Sequence, residues 1–210
     1  MNFGDFASKW SLEHGGASTA GVVGGWLRVS HRIARVLSSA RLSPNSVTYF
    51  GVALAAGTAF YSPRWWIATL LLFSLLCDGI DGSIAIVQGR VTKLGATLDS
   101  VADRISEALW AIAFYRLGAP LTWVVAFWLI AALQEYARAR LGSEGIRQIG
   151  VVTPAERPIR AIVLLVAIVA AQFDSTANWL NEIAIAMTLL QAFSFGQVFW
   201  FARKSLNSEH

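Results

Sequence analysis

The sequence predicts an all-α, polytopic membrane protein, with six transmembrane helices preceded by an amphipathic interfacial helix. Three observations carry this expectation. The 210 residues are 55% hydrophobic and only 14% charged, against about 25% charged in soluble domains, and the mean hydropathy is +0.52. Apolar runs close to the ~20 residues needed to cross a bilayer recur along the chain. The 9 Trp and 12 Phe suit lipid contact and interfacial belts.

The elements follow in order. Residues 1–42 are expected to form a cytoplasmic N-terminal segment. Its first 18 residues are polar and hold no apolar core of a signal peptide, so a cleavable leader is not expected. From Ala20 to Ala40, Trp26, Leu27, Val29, Ile33, Val36 and Leu37 alternate with Arg28, His31, Arg32 and Arg35. Helical spacing separates the two groups onto different faces, as in a helix lying in the membrane interface. A six-helix catalytic domain is expected over 43–205, with spans near 45–61, 64–87, 95–117, 120–141, 158–173 and 179–202, and a short tail at 206–210. Ser43 can cap the first span, and Pro44 suits an early helical position. The single Cys77 excludes an intramolecular disulfide.

Basic residues set the expected orientation. Lys9, Arg28, Arg32, Arg35 and Arg41 precede span one. Arg90 and Lys93 lie between spans two and three, and Arg138, Arg140, Arg147, Arg157 and Arg160 flank the connection of spans four and five. Arg203 and Lys204 follow span six. With six spans, all of these segments fall on one side. The positive-inside rule makes that side cytoplasmic, together with both termini.

The segment from Cys77 to Arg104, CDGIDGSIAIVQGRVTKLGATLDSVADR, carries the chemistry. Asp78 and Asp81 are three apart near the end of span two. Asp99 and Asp103 are four apart near the start of span three. Residues at these spacings share a helix face, and a short connection makes the two helices antiparallel neighbours. Each carboxylate inside a span costs roughly 2.5–3.5 kcal/mol, so four approach ~10 kcal/mol before depth is discounted. Arg90, Lys93 and Arg104 are too few to pair them all. Divalent cations offset clustered carboxylates better, and hard oxygen ligands favour Mg²⁺, Mn²⁺ or Ca²⁺. Gly79, Gly82 and Gly95 remove side chains beside the acids, where a ligand can approach the backbone.

These residues resemble the signature of the CDP-alcohol phosphatidyltransferase family, D-x2-D-G-x2-A-R-x8-G-x3-D-x3-D. Asp78, Asp81, Gly82, Ala85, Gly95, Asp99 and Asp103 are in register. The four Asp and two Gly alone match by chance about once in 10⁷ positions. One position departs: Ile86 stands where the family has Arg, which removes a phosphate or carboxylate contact. Arg90 or Lys93 is expected to supply the missing charge. Leu42 to Thr48 resembles the family segment that opens the first span. Arg138-Ala139-Arg140 and Ala155 to Arg160 resemble the phosphatidylinositol-phosphate synthase branch, although Gln197 lies where that branch carries a further Arg.

The resemblance implies a phospholipid-synthesising transferase. An acceptor hydroxyl would attack the β-phosphorus of CDP-diacylglycerol and release CMP. Asp78, Asp81, Asp99 and Asp103 would hold two Mg²⁺ or Mn²⁺ ions, with Asp103 also the general base. Asn45, Thr48, Gly82, Ala85 and Gly95 would contact the donor nucleotide. Arg138, Arg140, Arg157 and Arg160 would bind the acceptor phosphate, inositol phosphate being the first choice and glycerol phosphate or another alcohol the next. The resemblance also implies membrane lipid as a partner and a homodimer, and no nucleic-acid partner is expected. Two rivals come from other classes. Intramembrane acids also mark cation transporters, and Ile86 admits an inactive scaffold.

Overall fold

The computed structural model describes residues 1–144, 152–173 and 178–207. Arg147 and the end of the 206–210 tail lie outside the described residues. Among the described residues eight α-helices follow one another: α1 (Phe3–Glu13), α2 (Gly21–Ser39), α3 (Pro44–Tyr61), α4 (Ile67–Gln88), α5 (Lys93–Leu117), α6 (Leu121–Ser143), α7 (Arg157–Ala170) and α8 (Asn178–Asn207). No strand occurs among the described residues. The all-helical expectation is therefore met, and α2 through α8 fall close to the predicted segments.

Helix α1 is the addition. Asn2 caps it, accepting the Asp5 N–H at 2.9 Å. Phe3, Phe6 and Trp10 recur at helical spacing and turn one face inward. Ser43 caps α3 as expected, accepting the Ser46 N–H at 3.1 Å. The prolines fall where fixed φ suits a helix start: Pro44 opens α3, and Pro158 sits in the first turn of α7.

Among the described residues two helices, α4 and α8, are long and apolar enough to cross a membrane. The other four expected spans, α3, α5, α6 and α7, do not meet that description, for local reasons. Helix α3 is rich in Gly and Ala, α5 carries Asp99, Asp103, Arg104 and Glu107, α6 ends in charged residues, and α7 has only 14 residues. Large apolar side chains stand exposed on α3, α4, α6, α7 and α8, including Phe50, Phe73, Leu129, Val166, Leu189 and Phe193. Such continuous exposure suits lipid contact, and the chain is read as a membrane protein.

The chain forms two compact units, one of residues 1–56 and 70–106, the other of 57–69 and 107–210. The division does not fall at residue 42, because the N-terminal helices belong to the same unit as the acidic segment. In the first unit, Ala34, Val47, Ile80 and Ile84 form a core, joined by Leu37, Leu76 and Cys77. Phe6, Leu27 and Ile86 form a second cluster, with Phe3, Trp10 and Val87 against it. Small residues let helices approach closely, as membrane helices require when lipid is as apolar as the interface. A Cβ on Gly51 would meet the Cys77 Cβ at 3.0 Å, and one on Gly79 would meet the Trp26 ring at 2.6 Å. Ser74 Oγ donates to the Gly51 carbonyl at 2.8 Å, tying α4 to α3.

The second unit packs α6 along α8. Thr188 Oγ1 donates to the Trp123 carbonyl at 3.2 Å across this pair. Ser62 Oγ donates to the Ala113 carbonyl at 3.2 Å. Ala161, Leu164, Ala167 and Ile168 turn inward from α7, and Leu180, Ala184 and Met187 from α8.

Candidate active site

The acidic segment folds as a helical hairpin. Helix α4 ends at Gln88, and Gly89 adopts φ 65°, the left-handed conformation that stops a helix. Thr92 then caps α5, its Oγ1 accepting the Gly95 N–H at 3.0 Å. A Cβ at Gly95 would lie 3.1 Å from that same oxygen. Gly95 therefore serves the cap, whereas a Cβ at Gly82 would meet nothing within 4 Å. The space beside Gly82 is open to a ligand.

Three of the four expected acids converge. Asp78, Asp99 and Asp103 each offer a carboxylate oxygen, and these lie within 4.8 Å of one another. All three are partly exposed. Carboxylates so close repel unless a cation lies among them, and an all-oxygen set fits a hard divalent ion. Arg104 Nη2 lies 3.7 Å from Asp103 Oδ2. Three convergent carboxylates form an all-oxygen, anionic donor set, so the residues present fit a divalent metal.

Asp81 is placed differently. It is buried, accepts from the Thr48 hydroxyl, and accepts the Gly82 N–H at 2.6 Å. It lines one small cavity with Thr48, Ser74 and Asp78. Thr48, expected against the donor nucleotide, thus bonds to an acid of the same signature. Asn45 and Ala85 are exposed and half-buried respectively. Ile86 is 4% exposed beneath Phe6 and Leu27. The side chain at this position is a packing anchor for α1 and α2. Arg90 and Lys93 are both exposed, in and just after the turn.

The four arginines lie in the other unit, and each has a carboxylate partner there. Arg138 forks onto Glu156 at 2.6 and 2.9 Å and also reaches Glu135 at 3.1 Å. Arg140 meets Glu144 at 2.5 Å on the exposed surface. Arg157 lies 3.8 Å from Glu107 and stacks over Trp110 at 5.1 Å. Arg160 is buried, donating to Glu107, to the Ala155 carbonyl at 2.5 Å and to Gln191 Oε1 at 3.3 Å. Burial pulls the Glu156 carboxyl upward. The Arg138 fork and the Thr153 N–H and hydroxyl outweigh it and hold the group at about 2. Glu156 is therefore ionised throughout the neutral range.

Helix spacing could not show these carboxylate partners, because each pair except Arg138–Glu135 and Arg140–Glu144 joins distant segments. A weaker signal was present for others. Gln134 and Gln191 interrupt long apolar runs, and both are fully buried.

Comparison with known proteins agrees with this geometry. A family model for CDP-alcohol phosphatidyltransferase matches residues 33–193. The phosphatidylinositol phosphate synthase of Mycolicibacterium smegmatis is 30% identical over 192 residues, covering 79% of this chain and 82% of that protein. The archaetidylinositol phosphate synthase of Pyrococcus horikoshii is 34% identical over 145 residues, covering 65% and 74%. Among solved structures, the apo form of Mycobacterium tuberculosis phosphatidylinositol phosphate synthase superposes with a TM-score of 0.62 at 25% identity, covering 82% of this chain and 93% of that one. A structure of the same enzyme with CDP-DAG bound gives a TM-score of 0.65 at 24% identity, covering 84% and 92%, which is a likeness of fold. The matched region spans the whole acidic hairpin and most of the helical domain, and the chain belongs to the CDP-alcohol phosphatidyltransferase family of enzymes.

Proposed function

We propose that this enzyme transfers a phosphatidyl group from CDP-diacylglycerol to inositol phosphate, releasing CMP. The observation that carries the chemistry is the convergence of Asp78, Asp99 and Asp103. The acceptor rests on the relatives: the bacterial and archaeal proteins have different lipid groups in their names but share inositol phosphate.

Asp78, Asp81, Asp99 and Asp103 are the proposed metal ligands, for Mg²⁺ or Mn²⁺ and two ions. Asp81 would exchange its Thr48 contact for the metal. When bound, the divalent metal supplies charge neutralisation at the diphosphate and a better leaving group. Asp103 accepts the proton of the acceptor hydroxyl. The freed oxygen forms the new bond to the β-phosphorus, and the bond to CMP breaks. Asn45, Thr48, Gly82, Ala85 and Gly95 are the proposed donor contacts, with Gly82 giving the open approach and Gly95 shaping the α5 cap. Arg138, Arg140 and Arg157 keep enough exposure to offer donors to the acceptor phosphate, and forked guanidinium donors suit it. Arg160 belongs to the same group, but its two terminal nitrogens are engaged by Glu107, Ala155 and Gln191, so its part is to hold the group in place.

The same reading includes six membrane spans, an interfacial α2, both termini in the cytoplasm and a homodimer. Exposed Val22, Val29 and Val36 form an apolar stripe on α2, and exposed Arg28, Arg32 and Arg35 accompany it. That combination supports an interfacial position.

The test is an acceptor panel. Purified enzyme with labelled CDP-diacylglycerol and Mg²⁺ should form phosphatidylinositol phosphate from inositol phosphate, at least tenfold faster than products from glycerol phosphate or free inositol. Reaction with uncharged alcohols alone would remove the arginine assignment.

A further inference from the structure

Two glutamines deep in the second unit form a hydrogen-bonded pair whose direction is dictated by its ends. Gln191 on α8 donates from Nε2 to Gln134 Oε1 on α6 at 2.9 Å. Both side chains are 0% exposed. On one side, Arg160 donates to Gln191 Oε1 at 3.3 Å. On the other, Gln134 Nε2 donates to Thr153 Oγ1 at 3.3 Å, and Thr153 Oγ1 donates to Glu156 Oε1 at 2.8 Å.

The chain of bonds begins at a guanidinium, which can only donate, and ends at a carboxylate, which can only accept. Each amide between them can point only one way. Such a run of aligned bonds is polarised along its length and strengthens itself in a low-dielectric interior. It is also costly to interrupt, because each buried amide then loses a partner that no water replaces.

The two ends of the run are the places where the proposed acceptor arginines are held. Arg160 shares Glu107 with Arg157, and Glu156 is the partner of Arg138. Two buried amides in apolar helices are more than packing requires, since leucines would fill the same space without polar atoms. We infer that Gln134 and Gln191 are positioning residues for acceptor recognition, joining the Arg157–Glu107 and Arg138–Glu156 pairs into one rigid unit that presents guanidinium donors to an anionic, phosphate-bearing acceptor. The inference rests on the acceptor reading above and adds two residues to it.

The experiment compares Gln191→Met, Gln134→Met and Gln191→Glu in the full-length enzyme. Methionine keeps the volume and removes the hydrogen bonds. Glutamate at 191 still accepts from Arg160, but the Gln134 amide must then turn to donate to it and takes the single Thr153 hydroxyl proton away from Glu156, which breaks the run at its far end. Each Met variant should raise KM for inositol phosphate about tenfold, the scale of one or two lost hydrogen bonds, with KM for CDP-diacylglycerol and the half-saturating Mg²⁺ concentration within about twofold of wild type. Gln191→Glu, which interrupts the run at Thr153, should raise the acceptor KM about as much as the Met variants. A purely structural pair would lower the yield of folded enzyme and the thermal midpoint and leave KM alone. That result, or failure of both Met variants to give folded protein by size exclusion, overturns the inference. If wild type rejects inositol phosphate, the functional proposal falls and the inference with it. If wild type uses inositol phosphate and the Met variants keep its KM, the inference alone falls.

Discussion

Asp103→Asn is expected to lower turnover by at least about 100-fold, the lower end of what a positioned general base contributes, while the protein remains folded and still binds CDP-diacylglycerol. The carboxamide is the same size as the carboxylate, so packing on α5 is retained. It cannot take a proton from the acceptor hydroxyl. It also removes one negative charge from the group formed with Asp78 and Asp99. The half-saturating metal concentration should therefore rise as well, by a smaller factor than kcat falls. Asp99→Asn provides the contrast: as a proposed ligand without a proton-transfer role, its loss should be largely recovered at high Mg²⁺. Steady-state CMP release across a metal titration separates the two. Near-normal turnover in Asp103→Asn would remove the base assignment.

Ile86→Arg restores the residue found in the family signature, and the expected result is damage. Ile86 is 4% exposed, and it packs between Phe6 of α1 and Leu27 of α2. Burying a guanidinium without a partner costs about 3–5 kcal/mol. Here a cavity beside Ile86, lined by Lys9, Leu12, Glu13, Gly89 and Val91, gives the longer side chain an exit. Glu13 attracts it there and Lys9 repels it, so the cost falls to the lower end, about 3 kcal/mol. The weakest element yields first. Hydrogen exchange of amides in α1 should accelerate more than a hundredfold, while exchange in α8 is unchanged. The Asp78, Asp99 and Asp103 group lies outside this cluster, so the metal requirement of residual activity should persist. Wild-type protection of α1 together with raised turnover would mean that position 86 still faces phosphate.

These two residues also mark what the sequence could and could not convey. Asp78, Asp99 and Asp103 were legible because helical spacing is local, and two close pairs on a hairpin have few ways to point. Asp81 was legible as a member of the signature but not as the acceptor of the Thr48 hydroxyl, 33 residues away. Ile86 stood out as a departure, yet its reason lies in Phe6 and Leu27, and α1 itself was hidden. Its three aromatic residues are spread among polar ones, and their value appears only against Leu27 and Ile86. The arginines were conspicuous as a group. Their carboxylates were not, since Glu107 and Glu156 are remote from most of their partners. The helix positions followed from apolar runs and prolines, but charge within α5 and α6 and the short α7 leave, among the described residues, only α4 and α8 with the full length and apolarity of a span.

If the clustered aspartates hold a divalent metal, as proposed, the CDP-linked transfer requires that metal. The most direct measurement is CMP release by purified enzyme with CDP-diacylglycerol and inositol phosphate, after treatment with EDTA and its removal. Release should fall to background and return on addition of millimolar Mg²⁺ or Mn²⁺, and Asp78→Asn with Asp99→Asn should abolish the recovery. CMP release that persists without metal, or metal flux into liposomes with no CMP formed under any metal, would contradict it.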